Sequence, residues 1–313
     1  MGSRTDSTVN ATRLDNRAMG SSPGLPGNSA RTSDWGQELT PLDTAPLFRP
    51  LLRELTGLLG VLNASDWERP TLAGAWRVRD VAAHLLDGDL RKIAAYRDGH
   101  RHHPDSPIHS DRDLARFING LNASGVAFAK RLSHRLLADL LAITGAWVAD
   151  LIEGLPPEGP SLFAVSWAGE TESTNWMDTG REYTERWHHQ MQIRDAVGEP
   201  RLLVPHWMEP LLDLSVRSLP LSYADREAPV GATVTLDVHG PTAGAWSVVR
   251  DEAAWRVVRG RPSAPNAVVR VATDDAWRIF YNAVKSPGLT ERIEVEGDPK
   301  LAEPLLRARS VIL

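Results

Sequence analysis

The chain has 313 residues, of which 42% are hydrophobic and 24% charged, and its formal net charge is -5. That length suggests two domains, each large enough for a buried core, and that composition excludes a wholly disordered protein. The acidic balance gives no electrostatic case for nucleic acid or an anionic membrane surface.

There is no cysteine, so disulfides, Cys-ligated zinc and a protein thiolate nucleophile are all excluded. Any sulfur chemistry must draw on an external thiol. Residues 1–35 are rich in Gly, Ser, Asn, Arg and Asp and lack an apolar signal region, so a disordered leader is expected there. No stretch approaches the roughly 20 apolar residues of a membrane span, and the cytoplasm is the expected location.

The first helix is predicted from residue 42 or 44 to Leu62, with Leu47, Leu51, Leu52, Leu55, Leu58 and Leu59 on its apolar face. Pro50 is expected to break or restart it. Residues 63–74 form a connection, and a second helix runs to residues 98–99. Val78, Val81, Ala82, Leu85 and Leu86 mark its buried side, with His84 at the edge of that stripe.

His100, His102, His103 and His109 follow in a segment broken by Pro104 and Pro107, which reads as a solvated loop. A helix or helix pair spans 114–153, with Leu136, Leu137, Leu140, Leu141 and Val148 as core. Asn119 and Asn122 are candidates for lining a cofactor pocket, with surface positions as the ordinary alternative. The long loop over 155–173 carries Phe163, Val165 and Trp167, so it should pack. Its stretch 166–170 is expected to form a wall of the active site, with Trp167 in contact with a cofactor.

Residues 181–198, REYTERWHHQMQIRDAVG, organise the rest. As a helix they put Asp178, Glu182, Glu185, His189, Gln192, Ile193 and Ala196 within an arc of about 100°. Tyr183, Trp187 and Met191 lie on another side of the helix, so the polar stripe belongs to a helix that is partly buried and needs compensation. A divalent cation supplies it, because Glu185 and His189 at i, i+4 offer an oxygen and an imidazole to one point. His84 is the best third ligand, and three protein ligands leave a position open for water or substrate. A ligand set that includes His188 or Glu182, and a metal-free polar core, are the alternatives. Glu182 and Gln192 are candidates for orienting a ligand or substrate. Arg112, Arg116, Arg181 and Arg194 are candidate partners for a substrate carboxylate.

Gly198 and Pro200 close that helix, and residues 211–219 form another that ends at Pro220. From about Arg226 the pattern alternates in GATVTLDVHG, AWSVVRD, AWRVVRG and NAVVRVAT, which predicts three or four strands. A helix over 273–285, a strand in IEVEGD and a last helix over 300–310 complete the chain. The predicted class is α+β, organised as a leader over 1–35, a helical domain over 36–224 and a smaller domain of strands and helices over 225–313.

Four features together resemble one family: W-x-V-x-D-V-x-x-H from Trp76 to His84, the stretch FINGLNASGVAFAKRLSHRLLADLL, the WAGE of residues 167–170, and E-x-x-x-H followed by I-R-x-A from Glu185 to Ala196. They are similar to the mycothiol-dependent maleylpyruvate isomerase family, over roughly residues 42–224, with a looser match beyond. The resemblance implies a DinB-like metal-binding four-helix bundle followed by a small α/β sterol-carrier-like domain. It implies His84, Glu185 and His189 as ligands to a divalent metal, zinc foremost with iron, nickel or manganese as alternatives. Gln192 stands where many members have Asp.

The resemblance implies an enzyme in which mycothiol, as a metal-bound thiolate, attacks an electrophilic small molecule, giving isomerisation or thiol transfer. Glu182, Gln192 and Arg194 are then the candidate catalytic residues, and a monomer or homodimer acting on a small-molecule substrate is expected. A thiol-independent hydrolase, lyase or cyclase is the alternative that Gln192 favours. A non-catalytic small-molecule or lipid-binding protein is the third.

Overall fold

The computed structural model describes residues 35–281 and 288–311, apart from the Asp111 side chain. The expected leader lies outside these residues except for Trp35, which the Arg256 guanidinium overlies at 5.2 Å. The end of the helix expected over 273–285 lies outside them as well.

The first half of the described chain is helical. Six helices, α1 (Phe48–Leu59), α2 (Ala64–Trp67), α3 (Val78–Tyr96), α4 (Asp111–Ala129), α5 (His134–Glu153) and α6 (Asn175–Val197), precede a helical stretch of α7 (Pro205–Ser215) and α8 (Leu219–Ser222). Polar residues at the starts set several boundaries. Asn63 caps α2 by accepting from the Asp66 amide while its own amide donates to the Asp66 carboxylate, Ser110 caps α4, and Ser133 caps α5. Gly198 ends α6 at φ 79°, and the amide of Glu199 then reaches back to the Arg194 carbonyl at 2.9 Å. A side chain at Gly198 would resist that left-handed turn.

Two prolines behave otherwise than the sequence suggests. Pro50 lies within the first turn of α1, where its missing N–H has no helical acceptor to lose, so the helix continues. Pro220 occupies the same kind of position in α8, so the chain stays helical beyond Leu219 instead of ending there.

Helix α3 is the centre of the bundle, packing on α4, α5 and α6. Val78, Val81, Ala82 and Leu86 on α3 meet Leu55, Leu58 and Leu59 of α1, Leu137 and Leu141 of α5 and Ile193 of α6 in one apolar cluster. Fully burying such a side chain contributes about 1.5–3 kcal/mol.

The second half supplies five strands of a six-stranded sheet of order β1-β4-β3-β2-β5-β6, and β1, which precedes the helices, adds an edge strand. Its strands are β1 (Gln37–Glu38), β2 (Thr233–His239), β3 (Gly244–Arg250), β4 (Trp255–Arg259), β5 (Ala267–Ala272) and β6 (Glu294–Gly297). All neighbours are antiparallel except β2 and β5. Alternation sorts the two faces. Val234, Leu236 and Val238 of β2, Trp246 and Val248 of β3, and Val269 and Val271 of β5 enter the core. Thr235 and Ser247 face the other way and share a 2.9 Å hydrogen bond.

The helices of this half are α9 (Thr273–Phe280), α10 (Leu289–Arg292) and α11 (Pro299–Arg307), and α9 and α11 lie on β2 and β5. The fold class is thus α+β, with the bundle helices ahead of every strand but β1. One core cluster runs through both halves, from Phe48, Ile93, Val148 and Trp187 to Trp246, Trp277 and Phe280. Among the described residues no helix is long and apolar enough to cross a membrane.

Candidate metal centre

Helix α6 has 23 residues and buries an unusual set of polar groups, including Asp178, Glu182, Thr184, His188, His189, Gln190, Gln192 and Arg194. A helix placed that deeply keeps its polar side chains only if each has a partner. Two groups of contacts supply partners for Asp178, Glu182, His189 and Gln192.

Toward its N-terminal end is a charge network shared with α3. Asp178 accepts from Lys92 Nζ at 2.9 Å, from the Tyr96 hydroxyl at 2.5 Å and from two Arg181 nitrogens at 2.7 and 2.8 Å. Glu182 lies 3.1 Å from Arg186, 3.5 Å from Arg181 and 3.7 Å from Lys92. Arg186 also binds Asp89, whose other oxygen accepts from Thr144 at 2.7 Å. The cations Lys92, Arg181 and Arg186 face the carboxylates of Asp89, Asp178 and Glu182, so these groups balance one another without a ligand.

One turn further along, the composition changes from charge pairs to imidazoles. His84, Glu185 and His189 each place one ligand atom within 4.8 Å of the others. His84 comes from the second turn of α3, and the rings of His84 and His189 meet edge to face at 4.5 Å. Glu185 Oε2 lies 3.5 Å from His189 Nε2, the other imidazole nitrogen donating to Gln192 Oε1 at 2.8 Å. Gln192 therefore fixes which nitrogen of His189 faces Glu185 and His84. Trp76, just before α3, covers both rings, 5.1 Å from His84 and 6.4 Å from His189. The Glu185 side chain is 27% exposed against 9% for His189, so the centre opens to solvent on the carboxylate side.

The electrostatics favour a neutral His84 and an ionised Glu185. Burial, reinforced by neighbouring His189, pushes His84 well below the usual histidine value. Burial alone would raise the Glu185 carboxyl. The contacts with His189 and His188 and the charge of Arg181 outweigh it and hold the group below the usual carboxylate range. These are the protonation states in which both residue types ligate a metal. One further observation fits a cation: His84 Nδ1 is buried with no hydrogen-bond partner. A buried ring nitrogen without a partner is costly, and a metal ion bound there would satisfy it.

The sequence also allows His188 as a ligand, and its surroundings differ. Its Nδ1–H donates to the Thr184 carbonyl at 2.8 Å, and its ring touches His189 at 4.0 Å and stacks on Tyr281 at 4.5 Å and 15°. Burial, with His189 beside it, lowers its pKa to about 3.

The other sequence candidates lie as follows. Arg194 donates to the Glu54 carbonyl at 2.8 Å and the Glu54 carboxylate at 3.1 Å, which commits its charge to α1. Asn122 accepts from Arg91 at 2.9 Å, and Asn119 is exposed on α4. Trp167 is buried in a small cluster with Val165 and Met177, its indole N–H unpartnered. Arg116 pairs with Asp113 at 2.9 Å and Arg112 is exposed. The histidine-rich segment of residues 100–109 forms a loop between α3 and α4. The contact of Tyr281 with His188 had no local signal, because the two residues stand far apart in the chain and share no repeating pattern.

Residues 48–194 match the family described as mycothiol maleylpyruvate isomerase N-terminal domain. No curated protein matches the chain. Similar solved structures include the crystal structure of the mycothiol-dependent maleylpyruvate isomerase, 13% identical, with a TM-score of 0.49 over 80% of this chain and 91% of that one. A mutant of that enzyme with one histidine replaced by alanine gives 13% identity and a TM-score of 0.48 over the same shares.

Proposed function

We propose, on the premise that residues 48–194 of this chain belong to the mycothiol maleylpyruvate isomerase N-terminal domain family, that the protein is a metal-dependent enzyme. It uses a low-molecular-weight thiol, mycothiol, as cosubstrate on an electrophilic small molecule, as an isomerase or thiol transferase. The observation that carries this reading is the convergence of His84, Glu185 and His189 within 4.8 Å.

Two imidazoles and one carboxylate suit a catalytic divalent ion, zinc foremost, with coordination positions left for thiol and substrate. When bound, such an ion lowers the pKa of a ligating thiol and polarises a substrate carbonyl. The remaining work falls to this chain's own groups. Gln192 holds the proton on His189 Nδ1 and so presents Nε2 as a lone pair. Trp76 shields both imidazoles from water on one side. Glu185, more exposed than His189, marks the side from which thiol and substrate enter. Glu182 and Arg181, tied into the charge network, fix the turn of α6 from which Glu185 projects. Since the chain has no cysteine, the nucleophilic sulfur must be brought by the cosubstrate.

The test is metal content by mass spectrometry on protein purified without added metal or chelating resin, followed by turnover of maleylpyruvate with and without mycothiol. Stoichiometric metal in the wild type, lost in His84→Ala and Glu185→Ala, with turnover only in the presence of the thiol, is the expected result. Protein that folds but holds no metal would overturn the reading. Turnover that ignores the thiol would favour the thiol-independent metalloenzyme, for which the uncharged acceptor Gln192 is the supporting feature.

A further inference from the structure

Rings from five residues touch one after another across the molecule. Trp76 meets His84 at 5.1 Å, His84 meets His189 at 4.5 Å, His189 meets His188 at 4.0 Å, and His188 stacks on Tyr281 at 4.5 Å. All but the last belong to the helical half. Tyr281 belongs to the sheet half, directly after α9.

Tyr281 is held firmly in place. It is 4% exposed, and its hydroxyl lies 2.7 Å from Ser215 Oγ on α7. Ser215 Oγ itself donates to the Leu211 carbonyl at 2.7 Å, so the phenol is the donor in the Tyr281–Ser215 bond. Neighbouring residues of α9 grip α6 directly. Trp277 meets Trp187 edge to face at 5.9 Å, both fully buried, and Arg278 donates to Asp195 at 2.6 Å. Positions 277, 278 and 281 of one segment thus face 187, 195 and 188 of the other.

We infer that Tyr281 is a positioning residue for the metal centre, acting through the His188 ring to hold His189 in its ligating orientation. With His84, Glu185 and His189 read as metal ligands, as proposed above, the sheet half completes the site without supplying a ligand. His188 has its Nδ1–H committed to Thr184, so its ring plane is set at one end by the helix backbone and on its face by the phenol. The His189 ring packs against the His188 ring at 4.0 Å, inclined by 39°, and is held at Nδ1 by Gln192. Removing the phenol opens space beside His188 in a closely packed interior, and the His189 ring loses the surface that fixes one of its two sides.

The experiment compares wild type, Tyr281→Leu and Tyr281→Phe by competition titration with zinc and by the visible spectrum after cobalt(II) loading. Groups that support a ligating imidazole are worth roughly 10–100-fold in metal affinity. Tyr281→Leu is expected to bind zinc about tenfold more weakly or worse and to alter the cobalt bands. Tyr281→Phe keeps the stacked ring and is expected to restore both, even if loss of the Ser215 bond lowers its melting temperature. A destabilised core alone would not move the cobalt spectrum of the folded, loaded protein. If Tyr281→Leu does not fold, His188→Leu removes the other ring of the pair and should show the same loss. Wild-type affinity and spectrum in whichever of these two proteins folds would overturn the inference while leaving the metal centre intact. A wild type that takes up neither zinc nor cobalt would instead overturn the reading of the site, and the inference with it.

Discussion

His189 Nδ1 donates to Gln192 Oε1 at 2.8 Å, one helical turn further along α6. The bond turns the opposite nitrogen toward Glu185 and His84, and it does so with an uncharged acceptor. A carboxylate there would draw the imidazole proton more strongly and make His189 a more basic ligand. Gln192→Ala is therefore expected to weaken zinc binding by about 10–100-fold, and Gln192→Glu to strengthen it beyond wild type. Competition titrations at one pH check both. Equal affinity in all three proteins would remove Gln192 from the centre.

Metal should also show in stability. A ligand held only by the folded chain stabilises it by about 2.7 kcal/mol when present at a hundred times its dissociation constant. Chelation is thus expected to lower the melting temperature by several degrees, and added zinc to restore it. Glu185→Ala should melt at the same temperature with or without the metal. A wild type indifferent to chelator, in scanning calorimetry, would contradict the assignment of these three residues.

Much of this centre was legible in the sequence. Glu185 and His189 share a helix face by spacing alone, and His84 sits at the margin of the apolar stripe of α3, a place a polar group occupies when it has a buried partner. Local periodicity also located the strands after residue 226, because polar and apolar residues alternate over Thr233–His239, whereas the two-residue β1 carries no such pattern and was missed. Local pattern could not supply the pairing of β2 with β5, which the chain reaches only after completing β3 and β4. Nor could it place Arg194, whose partner Glu54 is 140 residues away, or Tyr281, whose contact with His188 depends on how α9 docks. Lys92 was hidden for a related reason. A lone lysine in a helix reads as solvated until Asp178 and Glu182 are known to lie opposite it.

That buried network carries its own prediction. Burial would raise the Asp178 carboxyl, but the charges of Arg181 and Lys92 and the bond from Tyr96 hold it well below the usual carboxylate range. A folded-state value below the unfolded one, about 3.9, means the stabilisation is present above that pH and is lost as the pH falls through the folded-state value. Asp178→Asn leaves Lys92 and Arg181 short of a negative partner, which costs about 3–5 kcal/mol for a buried pair. Urea midpoints measured from pH 6 down to pH 3 should fall more steeply below about pH 4 for wild type than for Asp178→Asn. Parallel curves would show that this carboxyl is not the group responsible.

The last prediction concerns how the halves depend on each other. Trp187 of α6 is fully buried against Trp277 of α9, and Leu211, Leu212 and Tyr223 at the end of the helical half lie in the same core as Val234, Trp246 and Phe280. A chain ended at Ala224 would turn that surface toward water. At about 25 cal/mol for each Å² of apolar area, the loss of several large side chains' burial is comparable to the roughly 5–15 kcal/mol by which domains are ordinarily stable. The truncated chain is therefore expected to be largely unfolded or aggregated, and the full chain to unfold in one transition seen alike by tryptophan fluorescence and by circular dichroism. A truncated protein with a cooperative melt would instead establish the helical half as an independent domain. Its zinc affinity would then be the measure of what α9 contributes to the centre.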